Sequence, residues 1–150
     1  MILQLISAFI AIAAFAVFMS IPRKHIVWCG LLGAGCWLIY LLLEPIGIII
    51  ATFISTIFIS LSSHILARIL KSPVTVFLIP SIMALVPGAY LYRAAYHFFR
   101  GSGSLAVQQL TMTLEIAGAI AAAIFLTDSL FILLKRAAPK KECPTKRKTP

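Results

Sequence analysis

Residues 76–93 read VFLIPSIMALVPGAYLYR, a stretch apolar enough for a lipid bilayer that nevertheless carries Pro80, Pro87 and Gly88. A proline inside a helix removes a backbone hydrogen bond, clashes with the carbonyl group four residues earlier and disfavours helical geometry at the preceding residue. The stretch therefore predicts a helix that is interrupted around residues 84–88.

An interrupted helix has consequences in hydrocarbon, because backbone groups there must find partners. The two prolines free the carbonyl groups near Val76 and Met83, and such groups are tolerated only against protein or beside a water-filled cavity. Discontinuous helices of this kind form substrate sites near the midplane of transporters. A proline kink with a purely structural role fits the same residues, so both interpretations stay open here.

The composition predicts an integral membrane protein. Of 150 residues, 61% are hydrophobic and 11% charged, and the mean hydropathy is +1.05, whereas soluble domains have about 25% charged residues. The apolar runs match the length of membrane-spanning helices, and no soluble domain remains between them. We predict an all-α fold with about five transmembrane helices, the fourth interrupted. The predicted spans cover about residues 2–21, 26–43, 46–66, 74–98 and 107–134.

The basic residues predict the orientation of these spans. Two of them follow the first span, two the third and seven the fifth, which leaves Arg93 and Arg100 for the other side. Because cytoplasmic loops carry the excess of Lys and Arg, we expect the N-terminus outside and the C-terminus inside. An even number of spans would scatter these charges over both sides.

The chain divides into a transmembrane domain, residues 1–136, and a basic tail, residues 137–150. We expect the tail to be disordered, cytoplasmic and in contact with anionic lipid. Nucleic-acid binding is not expected, because the chain offers no soluble surface with interleaved aromatic and basic residues.

No motif for a metal, cofactor or catalytic group is present in the sequence. The three cysteines lack CxxC or Cys/His spacing, and Cys29 and Cys36 are expected to be small packing residues. His25, His64 and His97 stand near the ends of spans, where an interfacial position is expected. Because HExxH, GxSxG and nucleophile–base spacings are also missing, we predict neither an enzyme nor a cofactor or metal site.

The second and third spans carry two further patterns. In WCGLLGAGCW, residues 28–37, small residues four apart allow a neighbouring helix to approach closely. The third span places five hydroxyl side chains on one stripe. They are Thr52, Ser55, Thr56, Ser60 and Ser63. The hydroxyls either line a polar path or bond back to carbonyl groups of their own helix, and the sequence favours neither.

Two acidic residues lie inside the fifth span, where an ionisable side chain is a functional candidate by default. Glu115 and Asp128 do not share a face of the helix, so they are not a pair of catalytic carboxylates. Glu115 does share a face with Gly118, Ala119 and Ala122, which indicates that it points toward neighbouring helices. Each acid is a candidate for proton coupling.

Two quoted segments carry a resemblance to a known family. The order FMSIPRKHIVWCGLLGAGCW (18–37), then SPVTVFLIPSIMALVPGAYLYRA (72–94), then a basic end resembles the short-subunit form of the threonine/serine exporter family. That form corresponds to the C-terminal membrane half of the longer fused exporters. The resemblance covers about residues 5–136 and departs from the usual pattern at Ser81 and Ala84. The motif residues that match are Pro80, Leu85, Val86, Pro87, Gly88, Tyr92 and Arg93.

The resemblance implies a subunit of a two-part secondary transporter in the bacterial inner membrane, acting with a longer membrane subunit. Its implied substrates are threonine, serine or a related small carboxylate such as succinate, and export is implied to be proton-driven. A homo-oligomer is a second possible assembly, because five spans make a small bundle for a transporter. The rival interpretation is an accessory or scaffold subunit that does not transport.

The predicted site residues follow from these features. Arg93 suits a carboxylate through two parallel hydrogen bonds, although it also suits the headgroup region, where Tyr90 and Tyr92 are expected. The candidates for a substrate path are Thr52, Ser55, Thr56, Pro80, Ser81, Pro87, Gly88, Tyr92 and Arg93.

Overall fold

The computed structural model describes the backbone of residues 2–137 and the side chains of residues 2–133. Within that part of the chain there are six helices and no strand. The helices are α1 (Ile2–Phe18), α2 (Arg23–Leu43), α3 (Ile48–Ile69), α4 (Thr75–Ile82), α5 (Gly88–Phe99) and α6 (Gly103–Ala137). The predicted tail lies outside the described residues except for Ala137, the last residue of α6.

Three helices, α2, α3 and α6, are long and apolar enough to cross a membrane. Helix α1 is apolar but has 17 residues, about 26 Å at 1.5 Å per residue, near the lower limit for a span. The predicted fourth span consists of α4 and α5, which are separated by residues 83–87. The all-α fold and the interruption of this segment are confirmed.

Three helices end in the same way, with one residue in the left-handed conformation. Ser20, Lys71 and Gly101 have φ of 56°, 50° and 77°. In each case the next residue donates its N–H to the carbonyl five positions earlier, as when Ile21 bonds to Ala16 at 3.1 Å. This is the Schellman arrangement, which satisfies carbonyl groups at a helix end. It ends α1 at Phe18, three residues before the predicted limit.

Helix α2 lies at the centre of the bundle and contacts α1, α3 and α4. A contact of 3.1 Å between Ser72 Oγ and His25 Nε2 places the α1–α2 and α3–α4 connections at the same end. We call this end, which also carries Arg23, Lys24 and Lys71, the basic end. His25 is 2% exposed and packs edge-on against Phe77, so it lies at the end of its helix, as predicted, but is covered by protein.

Helices α3 and α6 run parallel. Near the C-terminal end of each, His64 meets Asp128, and toward their N-terminal ends Ile50 and Glu115 border the same groove. Helix α5 packs against α6 alone. Because α6 has 35 residues, about 52 Å, it extends well beyond a hydrocarbon core of about 30 Å.

The predicted small-residue face of α2 packs against α1. A Cβ atom added at Gly33 would stand 2.5 Å from Ile12 Cγ1, and one added at Gly30 would stand 2.7 Å from Phe9 Cε2. Both distances are shorter than any real Cβ contact. The expectation that these glycines allow a close helix approach is confirmed.

The core is narrow and the exterior is apolar. Ile12, Cys29, Ile59 and Phe77 are among the buried core residues, while large apolar side chains cover most of the outside. Phe18, Phe99 and Leu3 are 82%, 86% and 79% exposed. Such a surface suits lipid or other membrane helices rather than water.

Candidate functional site

The interruption between α4 and α5 borders a cavity of about 160 Å³, here called the break cavity. Pro87 and Tyr90 line it from the interrupted segment, and Thr52 lines it from α3. Trp37 and Tyr40 close another side from α2. The break therefore opens on a small chamber with aromatic and hydroxyl walls, as non-helical backbone at membrane depth requires.

The first proline of the segment is anchored on α2 and does not line this cavity. Pro80 is fully buried, and the carbonyl of Val76, which its missing N–H leaves free, accepts a hydrogen bond from Cys29 Sγ at 3.5 Å. Ser81 Oγ donates in turn to the carbonyl of Cys29 at 3.5 Å. These reciprocal contacts fix α4 to α2, so Pro80 and Ser81 position the break.

The hydroxyl stripe of α3 is buried along its whole length. Thr52 donates to Ile48 O at 2.8 Å and Thr56 to Thr52 O at 2.7 Å. Ser55, Ser60 and Ser63 are 0% exposed, and their Oγ atoms have no hydrogen-bond partner within the described part of the chain. The two threonines thus bond back to their helix, whereas the three serines keep unused hydrogen-bonding capacity.

A larger cavity of about 500 Å³, here called the basic-end cavity, lies between α3, α6 and the start of α4. Asp128 Oδ1 lies 2.7 Å from His64 Nε2 inside it. Arg68 lines the same cavity, with its guanidinium carbon 5.3 Å from the centre of the Phe131 ring. The His64 ring stacks on Phe131 with their centroids 4.2 Å apart. An acid, a histidine and an arginine thus meet around one aromatic ring.

The stripe lies on α3 between these two cavities. Thr52 lines the break cavity and His64 lines the basic-end cavity, which corresponds to about 18 Å along α3. The unpartnered serines lie between them. Buried hydroxyls on one face of α3 therefore stand between the two cavities in an otherwise apolar bundle.

Gly88, Tyr92 and Arg93, which the sequence predicted as site residues, line neither cavity. Gly88 begins α5 and has no atom within 4 Å of an added Cβ. Tyr92 is 71% exposed and stacks with Tyr96. Arg93 is exposed, and its guanidinium carbon lies 6.0 Å from the centre of the Tyr90 ring. Arg93 is therefore connected to the break cavity only through Tyr90.

Glu115 borders an open groove between α3 and α6 of about 780 Å³. Gly118, Ala119 and Ala122 line the same groove, so the predicted shared face is confirmed. Opposite them stand Ile49, Ile50, Phe53 and Ile54. Glu115 itself is exposed, and it lies on a different face from Asp128, as predicted.

Sequence reasoning missed His64 and Arg68 as site residues. It placed His64 at an interface and used Arg68 only for orientation, yet the two are four residues apart and so share a face of α3. His64 and Asp128 also lie at a similar distance from the basic residues that end their spans. That common depth was a usable signal, although only the fold shows that α3 and α6 are neighbours. Within residues 2–137 no group of three or more potential metal ligands occurs.

Comparison with known proteins gives one match that covers most of the chain. Residues 4–130 match the family model described as Threonine/Serine exporter, ThrE. No curated protein and no solved structure gives a significant match. The interruption between α4 and α5, the buried hydroxyls and the apolar exterior are compatible with transport. The chain therefore belongs to the threonine/serine exporter family.

Proposed function

We propose that this chain is a membrane subunit of a secondary transporter that exports threonine, serine or a related small carboxylate such as succinate. Family membership supports export of threonine or serine. The observation that carries the proposal is the row of buried hydroxyls on α3 between two cavities. Thr52 lines the break cavity, His64 lines the basic-end cavity, and the buried serines stand between them along the helix.

The proposed topology has five membrane crossings, with the N-terminus outside and the C-terminus inside the bacterial inner membrane. Helices α1, α2, α3 and α6 each make one crossing, and α4 with α5 make the fourth in chain order. The contact between His25 and Ser72 supports this arrangement, because it brings together two of the three basic segments.

A longer membrane subunit of the same family is the proposed partner, with a homo-oligomer as the second assembly. The groove beside Glu115 supports an assembly, since small residues on α6 leave room for another helix. The basic tail, residues 137–150, is proposed to rest on anionic lipid.

Export assays in cells test the function. We expect labelled threonine, serine or succinate to leave cells that express this chain together with its candidate partner, and not cells that express either chain alone. Export by the partner alone would contradict the proposal and make this chain an accessory subunit.

Proton coupling is proposed to involve Glu115 or Asp128, the two acids within α6. We expect Glu115→Gln or Asp128→Asn to alter the dependence of export on pH. An unchanged pH profile in both variants would exclude these residues. Direct contact of Arg93 with a substrate carboxylate is a separate proposal, which a normal substrate affinity in Arg93→Ala would exclude.

A further inference from the structure

We propose that the basic-end cavity binds the zwitterionic head group of an amino acid, with Arg68 taking the α-carboxylate and Asp128 the α-ammonium. The inference rests on the proposed export function and narrows its substrate class. It assigns roles in substrate binding to Arg68 and His64, two residues that the sequence did not single out.

The first support is that two oppositely charged side chains, Arg68 and Asp128, line one cavity without contacting each other. Arg68 on α3 and Asp128 on α6 line one cavity, but among the described side chains the only contact within 4.0 Å between an acidic and a basic side chain joins Asp128 to His64. Here a cation and an anion face the same space, which is the charge pattern that a zwitterion requires.

The second support is unused hydrogen-bonding capacity. His64 Nε2 contacts Oδ1 of Asp128, while the carboxylate has about four acceptor positions on its two oxygens. The Asp128 side chain is 46% exposed, so room remains for a donor. Arg68 makes no hydrogen bond to a described side chain, and its planar guanidinium suits a carboxylate in two parallel bonds.

The third support is that the charged groups are held in place before a ligand arrives. The Phe131 ring carries the stacked imidazole of His64, with the Arg68 guanidinium beside it. The His64 contact in turn orients the Asp128 carboxylate. Preorganised groups lose less conformational entropy when a ligand binds, which favours binding. His64 is thus a positioning residue for Asp128.

Size and position also fit an amino acid. The cavity volume of about 500 Å³ lies within the usual range for small-molecule sites. The cavity lies at the basic end, which the positive-inside rule assigns to the cytoplasm, where an exporter takes up its substrate. A dicarboxylate would bring a second negative charge toward Asp128, so this site favours threonine or serine over succinate.

The test uses two analogues of threonine and the purified full-length chain. The first analogue, 3-hydroxybutyrate, lacks the ammonium group, and the second, threoninol, lacks the carboxylate. Equilibrium binding of labelled threonine is measured in competition with each. In the natural chain we expect each analogue to bind about tenfold more weakly than threonine, the loss of one charge-assisted contact.

The variants should remove these preferences one at a time. Asp128→Asn should weaken threonine binding by about tenfold and leave 3-hydroxybutyrate unchanged, because that analogue never used the carboxylate. Arg68→Gln should weaken threonine and leave threoninol unchanged. Asp128→Glu keeps the charge and should keep the preference for an ammonium group. Glu44→Gln and Arg23→Gln, exposed residues outside the cavity, are the matched controls.

Three results would overturn the inference. Equal weakening of threonine and both analogues in Asp128→Asn would show that the pair with His64 only holds α3 to α6. Succinate binding as tight as threonine binding would refute the substrate class, as would an absence of threonine binding. Failure of the export function is distinguishable, because co-expressed chains would then export no substrate, whereas an error in this site alone leaves export of threonine intact.

Discussion

At the scale of single residues, Gly33 sets the distance between α1 and α2. Its missing side chain lets Ile12 lie where a Cβ atom would stand, and the nearest atom would be only 2.5 Å away. Neither helix can move apart without exposing the core around Cys29 and Leu32. Together with Gly30, Gly33 thus allows the two apolar helices to approach closely.

We expect Gly33→Ala to lower the free energy of unfolding by about 1–3 kcal/mol, the usual cost of overpacking. Adding Ile12→Ala should cost less than the two separate changes would sum to, because it removes part of the clash. Denaturant unfolding of the purified chain in detergent measures both effects. Gly118→Ala is the matched control, since nothing lies within 4 Å of its added Cβ. Equal losses at both glycines would contradict the packing explanation.

The hydrogen bond between Cys29 and the carbonyl of Val76 illustrates what a sequence can and cannot predict about a residue. Pro80 predicted that the carbonyl near Val76 lacks its helical donor. The donor, Cys29, stands 47 positions earlier in the chain. Its sequence pattern indicated only a small packing residue, because the second role depends on which helix becomes the neighbour of α4.

At the scale of elements, the break between α4 and α5 separates two differently supported helices. Helix α4 contacts α1, α2 and α3, whereas α5 contacts α6. The five residues between them therefore separate two helices with different neighbours.

We expect Pro87→Ala combined with Gly88→Ala to extend the helix through the break and to reduce export severalfold while expression persists. The physical reason is that alanine supplies the missing N–H and favours helical geometry. Gly88→Ala alone is the control, because the site is open and its φ is ordinary. Unchanged export from the double variant would make the break a structural kink.

Substitution of the α3 serines should separate an effect on export from an effect on the free energy of unfolding. Because the Oγ atoms of Ser55, Ser60 and Ser63 have no partner, alanine at each position should leave the free energy of unfolding unchanged within about 0.5 kcal/mol or raise it. Export should nevertheless fall if these hydroxyls line the route. Thr111→Ala, an exposed hydroxyl on α6, is the control. Normal export from the triple variant would contradict the route.

Helix limits were predictable where local chemistry decides them. The α2–α3 turn follows from Glu44, Pro45 and Gly47, and Pro87 with Gly88 places the break to within about one residue. The ends of α1 and α3 were less predictable, because Ser20 and Lys71 adopt a left-handed conformation that glycine usually occupies.

At the scale of the whole molecule, the bundle brings distant residues of α3 and α6 together. The stripe of hydroxyls was predictable from helical periodicity. The basic-end cavity was not, since it needs the parallel arrangement of two helices separated by more than thirty residues of chain. Asp128 was predicted as a functional candidate because an ionisable side chain is costly inside a membrane. The fold adds His64, which contacts the Asp128 carboxylate.

The orientation can be tested with single cysteines in spheroplasts. With Cys143 replaced by serine, we expect Ser104→Cys to react with a membrane-impermeant maleimide from outside, and Lys24→Cys to react only after permeabilisation. Cys29 and Cys36 are 0% exposed and should stay unlabelled. Labelling of both positions from one side would mean that α4 and α5 do not form a crossing.

The length of α6 has a mechanical consequence for the two cavities. Ile116 lines the break cavity and Asp128 lines the basic-end cavity, and both belong to one uninterrupted helix. An α-helix held by its own hydrogen bonds behaves as a stiff rod over this distance of about 18 Å. A slide of α6 along α3 therefore displaces a wall of each chamber by the same amount at the same moment. Because one continuous helix lines both the break cavity and the basic-end cavity, neither cavity changes shape alone.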